Sequence, residues 1–225
     1  MSCSAIYTPL ASRGGCRAPR FEGITCDGGL FYLTAAGCRI HTYDLALKPL
    51  RTLRTCRTYT GITYDRTRGC FWCSTGRRGA LYMLGADMRE IGAVTVEGGL
   101  SDRILSLSYD AESDTLQLAA EDCILEVDSG GCVLGTSAPV RGAEAYFAVA
   151  HTDGGLTYAY RAGKIQPVTA QRPDALSWVE AGDCRLKDMT SVIDGGGETL
   201  CVLAEMAARY PYIIRISASA LTCGG

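Results

Sequence analysis

Four carboxylates stand a short way ahead of similar Asp-containing turns: Glu22, Asp102, Glu144 and Asp188. Carboxylates drawn from separate segments supply the oxygen set that a hard divalent cation takes, or the pair that divides acid and base roles in hydrolysis. They precede Asp27, Asp110, Asp153 and Asp194 by five, eight, nine and six residues, so a repeated scaffold would deliver them to different depths. Histidine acid–base chemistry has two candidates, His41 and His151.

Twelve cysteines raise a second chemistry. A disulfide framework would fit a secreted chain, but most of these residues sit in apolar, strand-like runs such as GCFWCST, DCILEV and TLCVLAE, where cysteine acts as a small buried hydrophobe. Cys70 and Cys73 form a C-x-x-C with Phe71 and Trp72 between them. On a strand, residues three apart face opposite ways, and no second C-x-x-C or C-x-x-H completes a tetrahedral zinc site. No metal and no cofactor is assigned.

The third signal is D-G-G, which occurs at Asp27, Asp153 and Asp194. Asp accepts hydrogen bonds from N–H groups two residues on, and Gly takes the positive φ of a tight hairpin, so the triplet reads as a turn rather than a catalytic carboxylate. Two further segments share its setting, GITYDRTRGCFWCST around Asp65 and LSLSYDAESDTLQLAAE around Asp110. The five aspartates are separated by 38, 45, 43 and 41 residues, the period of four-stranded propeller blades.

The elements that carry these signals are strands, because the apolar runs are short, rich in β-branched and aromatic residues, and divided by Gly, Asp and Ser. In unit two, Gly61 to Tyr64, Cys70 to Ser74, Ala80 to Leu84 and Ile91 to Val96 read as strands A to D. The second strands, LFYLTA, CFWC, LQLAA, LTYAY and LCVLA, are apolar throughout, as strands covered on both faces are. Unit five lacks a convincing outer strand, and Ala5 to Thr8 is free to supply it, closing the ring. The expected architecture is an all-β, five-bladed propeller of four-stranded antiparallel blades. It is one domain, 1–225, with blades near 18–59, 60–102, 103–144, 145–184 and 185–220 plus 4–9.

On these repeats, each an apolar strand ending in Asp, a Gly-containing turn and a later strand such as LEVD, the chain resembles β-propellers of the broad YVTN/NHL and lactonase-like group. No W-D dipeptide ends the blades, and the Gly pairs are misplaced for kelch repeats. The resemblance implies a ligand or partner face built from the loops between strand D and the next strand A and between strands B and C. The first set holds Glu22, Tyr59, Asp102, Arg103, Glu144, Tyr146 and Asp188; the second holds Arg77, Arg78 and Arg161. An ordinary solvated surface would have the same residues.

Charge divides along the chain. Residues 1–89 carry 13 Lys or Arg against 5 Asp or Glu, and residues 90–225 carry 9 against 19, so a ring would oppose a basic sector to an acidic one. Complementary sectors favour a charged protein partner or self-association. The net charge of −2 and the sparse aromatics around Arg51, Arg54 and Arg57 give nucleic acid little support. There is no positively charged leader with an apolar core and no window of 18 apolar residues, which leads to the expectation of a cytoplasmic protein without membrane contact. The favoured function is a non-enzymatic binding or protein-interaction module using the loop face, since blades of this length leave little loop for a catalytic cleft. The alternatives are a metal-dependent, lactonase-like hydrolase with carboxylates at the channel mouth, implied by the resemblance, and a lectin-like binder of an unidentified small ligand.

Overall fold

The computed structural model describes residues 5–11, 19–77, 79–97, 103–120, 123–137, 146–161, 164–168, 178–179, 184–194, 197–206 and 210–217. The first strand, β1 (Ala5–Pro9), belongs to the last blade. Blade 1 is β2 (Phe21–Cys26), β3 (Leu30–Ala35), β4 (Arg39–Asp44) and β5 (Pro49–Arg54); blade 2 is β6 (Gly61–Asp65), β7 (Cys70–Ser74), β8 (Ala80–Leu84) and β9 (Glu90–Thr95). Blade 3 is β10 (Ser106–Asp110), β11 (Thr115–Ala119), β12 (Ile124–Asp128) and β13 (Val133–Thr136); blade 4 is β14 (Tyr146–His151), β15 (Thr157–Arg161), β16 (Lys164–Pro167) and β17 (Trp178–Val179). Blade 5 is β18 (Arg185–Asp194), β19 (Gly197–Met206), β20 (Tyr210–Ser217) and β1. All five sheets are antiparallel meanders, and β1 pairs with β20 from Ala5↔Ile216 to Pro9↔Tyr212, closing the ring as expected.

Burial follows position in the blade. The second strand of blade 2 is buried along its whole length, whereas the outer strand β9 alternates half-buried and exposed residues, as an edge bordered by solvent does. The core is divided among the five gaps between blades. Phe71 and Cys73 enter the gap toward blade 1, and Trp72 enters the gap toward blade 3. Strand alternation therefore sends Cys70 and Cys73 to opposite faces, and both are buried. Burial pushes the Cys73 thiol well above its ordinary pKa, so the C-x-x-C is structural. Cys56 and Cys132 differ from the buried-hydrophobe expectation, for both are exposed.

Five inner strands converge on the axis, and small residues let them do so. A Cβ on Gly23 would lie 2.5 Å from the carbonyl oxygen of Thr60, and one on Gly61 would lie 2.6 Å from Leu107 Cδ2. Side-chain hydrogen bonds stitch the inner strands laterally. Thr25 accepts the N–H of Tyr64, Thr63 that of Tyr109 and Ser108 that of His151, joining blades 1 through 4. Ser191 donates to the His151 carbonyl, and Asp188 accepts the N–H of Ile24, which completes the circle through blade 5. No helix among the described residues is long and apolar enough to cross a membrane.

Candidate functional site

The Asp turns are built mostly as the sequence implies. Asp27 Oδ1 accepts the N–H groups of Gly29 (2.9 Å) and Leu30 (2.8 Å), while its Oδ2 accepts the Tyr32 hydroxyl at 2.7 Å. Gly28, with φ of 92°, supplies the left-handed residue of that hairpin. Asp65 accepts the N–H of Arg68, and Asp110 accepts that of Glu112. Asp153 requires a correction: Thr152 makes the turn in blade 4, its hydroxyl accepting the N–H of Leu156 at 3.1 Å. Thr152 aligns with the other turn residues because His151 pairs with Thr157. That frees the Asp153 carboxylate, which meets Arg66 at 2.7 Å.

Arg66 follows the inner strand of blade 2 and Asp153 that of blade 4, so their ion pair bridges past blade 3. It lies at the rim of an axial cavity of about 190 Å³ on the turn face of the ring. Every blade contributes to its wall: Thr25 to Gly28 from blade 1, Thr63 and Tyr64 from blade 2, Ser108 and Tyr109 from blade 3, His151 from blade 4, and Thr190 to Ile193 from blade 5. The lateral stitches Thr25, Thr63 and Ser108 are therefore also cavity residues.

His151 of the cavity wall is held by protein partners. His151 Nδ1 lies 2.9 Å from the Thr157 hydroxyl and its Nε2 lies 3.3 Å from Asp110. Burial opposes ionisation of Asp110, but the Ser113 hydroxyl, the Glu112 N–H and His151 outweigh it and keep its carboxyl below the usual range. Burial lifts the Cys26 thiol to about 11 against the pull of the Gly28 N–H, so the one cavity cysteine is protonated at neutral pH. The Thr157 hydroxyl, His151 and Asp110 thus stand in a row, with Thr157 itself buried.

The expected loop-face residues that are described, Asp188 apart, lie away from this cavity, toward the opposite end of the inner strands. Glu22 is pinned there by Arg20 at 2.8 Å and by Lys187 at 3.5 Å, and Lys187 also reaches Glu205 at 3.7 Å. Tyr59 is packed in the core between blades 1 and 2, with its hydroxyl 3.7 Å from Cys56 Sγ, while Arg77 and Arg103 are exposed. Tyr146 and Arg161 pair with each other across β14 and β15. Arg78, Asp102 and Glu144 lie outside the described residues. Among the described residues, no three His, Cys, Asp or Glu side chains gather in a metal-binding arrangement.

Of the two expected carboxylates among the described residues, Glu22 and Asp188, it is Asp188 that reaches the axis. A register shift between Leu186 and Asp188 sets Lys187 aside and turns Asp188 inward, where it is fully buried. Its Oδ2 accepts the Ile24 N–H at 2.9 Å, and its Oδ1 lies 2.5 Å from the Ser106 hydroxyl on the far side of the ring. Ser106 in turn accepts the N–H of Val149. Burial raises the Asp188 carboxyl from 3.8 to about 8, against the lowering effect of Ser106 and the Ile24 and Met189 N–H groups. Asp188 is thus a cross-axis tie, deeper along the channel than the cavity.

No protein-family model and no curated protein sequence matches the chain. Among solved structures, the Myxococcus xanthus glutaminyl cyclase is similar at 17% identity and a TM-score of 0.50, over 88% of this chain and 72% of that one. The Kuenenia stuttgartiensis hydrazine synthase is similar at 14% identity and a TM-score of 0.46, over 85% of this chain and 53% of that one. At 17% identity the likeness to the cyclase concerns the propeller fold and not its chemistry.

Proposed function

We propose that this protein is a non-enzymatic binding module that takes up a small polar molecule in the axial cavity of its turn face. The observation that carries this reading is the cavity wall itself, to which all five blades contribute and to which Thr25, Thr63, Ser108, Thr190 and Ser191 bring hydroxyls. Concave sites with a few convergent polar groups are the usual seats of small ligands. The hydrolase alternative draws less support, because Glu22 is engaged by Arg20 and Lys187 and Asp188 is sunk in the axis. Kinship with YVTN/NHL or lactonase-like propellers belongs to the proposal only as fold ancestry.

Ligand-observed NMR with a mixture of neutral, acidic and basic small metabolites tests the reading. Binding to the natural chain is expected, and Thr190→Phe, which places a ring in the cavity, removes it while the protein stays folded. Equal binding by folded Thr190→Phe would refute the cavity as the site. Residence in the cytoplasm is part of the same proposal, and protein denatured without reductant is then expected to expose nearly all twelve thiols. Association of basic and acidic sectors is proposed as a secondary use of the surface, measurable as salt-sensitive self-association in sedimentation.

A further inference from the structure

Hydrogen-bonding capacity in the cavity narrows the ligand's chemistry, on the footing of the binding reading above. Thr25, Thr63 and Ser108 are 2%, 6% and 7% exposed, and each hydroxyl oxygen accepts a backbone N–H from the next blade. Among the described residues none of the three has an acceptor for its own proton. A hydroxyl offers one donor and two acceptor sites, so each presents a donor and one remaining lone pair.

The charged groups, by contrast, are already satisfied. Asp27 Oδ1 accepts two N–H groups of its turn and its Oδ2 accepts the Tyr32 hydroxyl, and Asp153 and Arg66 neutralise each other. An entering anion would come up against Asp27 and Asp153, and a cation would find those carboxylates occupied. The side chains of Arg66 and Asp153 are 51% and 36% exposed, and ion pairs this open add little to stability. A neutral ligand can therefore part them and offer both partners hydrogen bonds. The volume of about 190 Å³ is below the span of roughly 300–1,000 Å³ that holds drug-sized molecules and cofactors.

We infer that the cavity selects an uncharged, hydroxyl-rich molecule of monosaccharide size, seated on the Thr25, Thr63 and Ser108 hydroxyls beneath the Arg66–Asp153 pair. Adjacent hydroxyls on such a molecule give and receive hydrogen bonds at once, which matches a floor of mixed donors and acceptors. They also suit a guanidinium and a carboxylate side by side. Tyr64, whose ring leans on Phe71 at 5.0 Å, also lines the cavity.

The test is calorimetry on the full chain with methyl glucoside, myo-inositol and glycerol, set against sodium acetate, inorganic phosphate and glycine. Backbone-amide NMR is recorded for each probe. At least one polyol is expected to bind more tightly than all three charged probes. The double variant Arg66→Ala/Asp153→Ala, altered only at exposed side chains, is expected to weaken that binding by roughly tenfold, the equivalent of one or two lost hydrogen bonds. Preferential binding of acetate, phosphate or glycine, sensitive to the double variant, would overturn the ligand class and leave the cavity reading standing. Failure of every probe to move the amides of Tyr64, Tyr109 and His151 would overturn both.

Discussion

Replacing Asp188 by Asn removes a titrating group from the axis while keeping its shape. The native carboxyl is fully buried and its pKa is about 8, against 3.8 when exposed. The folded protein therefore holds this proton more tightly than the unfolded chain does. The stability it lends is complete below about pH 4 and is lost as pH rises toward 8, at up to a tenfold fall in the folding constant per pH unit. From pH 5 to pH 8 the fall approaches about a thousandfold at most. Asn cannot ionise, yet its oxygen can accept the Ile24 N–H and its amide can donate to Ser106. At pH 5 the variant should lie within about 1 kcal/mol of the natural protein, and at pH 8 it should be the more stable. Urea unfolding of both proteins at pH 5, 6, 7 and 8 measures the difference, and other ionisable groups cancel in the comparison. Asp188→Ala, which strands the Ile24 N–H and the Ser106 hydroxyl and opens a void, should cost about 2–4 kcal/mol at pH 5 and progressively less as pH rises, because alanine does not titrate either. A constant difference between the natural protein and Asp188→Asn would mean that Asp188 ionises normally in the fold, and the description of the axis would be wrong.

Three further outcomes follow from packing. Gly23→Ala sets a methyl 2.5 Å from the Thr60 carbonyl, a backbone atom with little room to retreat, and should cost about 1–3 kcal/mol in urea unfolding; a neutral effect would show the inner ring to be looser than described. Arg68→Ala removes the guanidinium that joins buried Asp65 at 2.9 Å to Asp114 at 2.6 Å, and should lower stability by about 1–3 kcal/mol, whereas no change would mean that water satisfies Asp65 equally well. Deleting residues 1–10 bares the β20 edge, so the melting temperature should fall and light scattering should report association; an unchanged melting temperature would refute the clasp.

The fold was readable because propeller blades repeat their turn chemistry. Cys70–Ser74 and Ala80–Leu84 fall where the apolar runs of unit two place them, and the β1 clasp follows from counting strands. The axis was harder to read. Nothing in RLKDMTS announces the register shift that turns Asp188 inward, because a bulge depends on how the partner strand pairs and not on local composition. In blade 4, VAHTDGG offers two competing turn formers, and pairing of His151 with Thr157 gives the role to Thr152. The cavity did leave a trace, a hydroxyl residue two positions before the turn Asp in GITCD, GITYD and SLSYD. That spacing carries meaning only once the inner strands of neighbouring blades are set side by side.

The claim that function sits in the axial cavity is tested most directly by mapping amide chemical shifts on isotopically labelled protein, titrated with the tightest binder from the metabolite screen. The largest changes are expected at Tyr64, Tyr109 and His151, whose N–H groups bond to the cavity hydroxyls. Changes centred on Glu22, Arg77 and Arg103 at the opposite face, with those three amides unmoved, would contradict it.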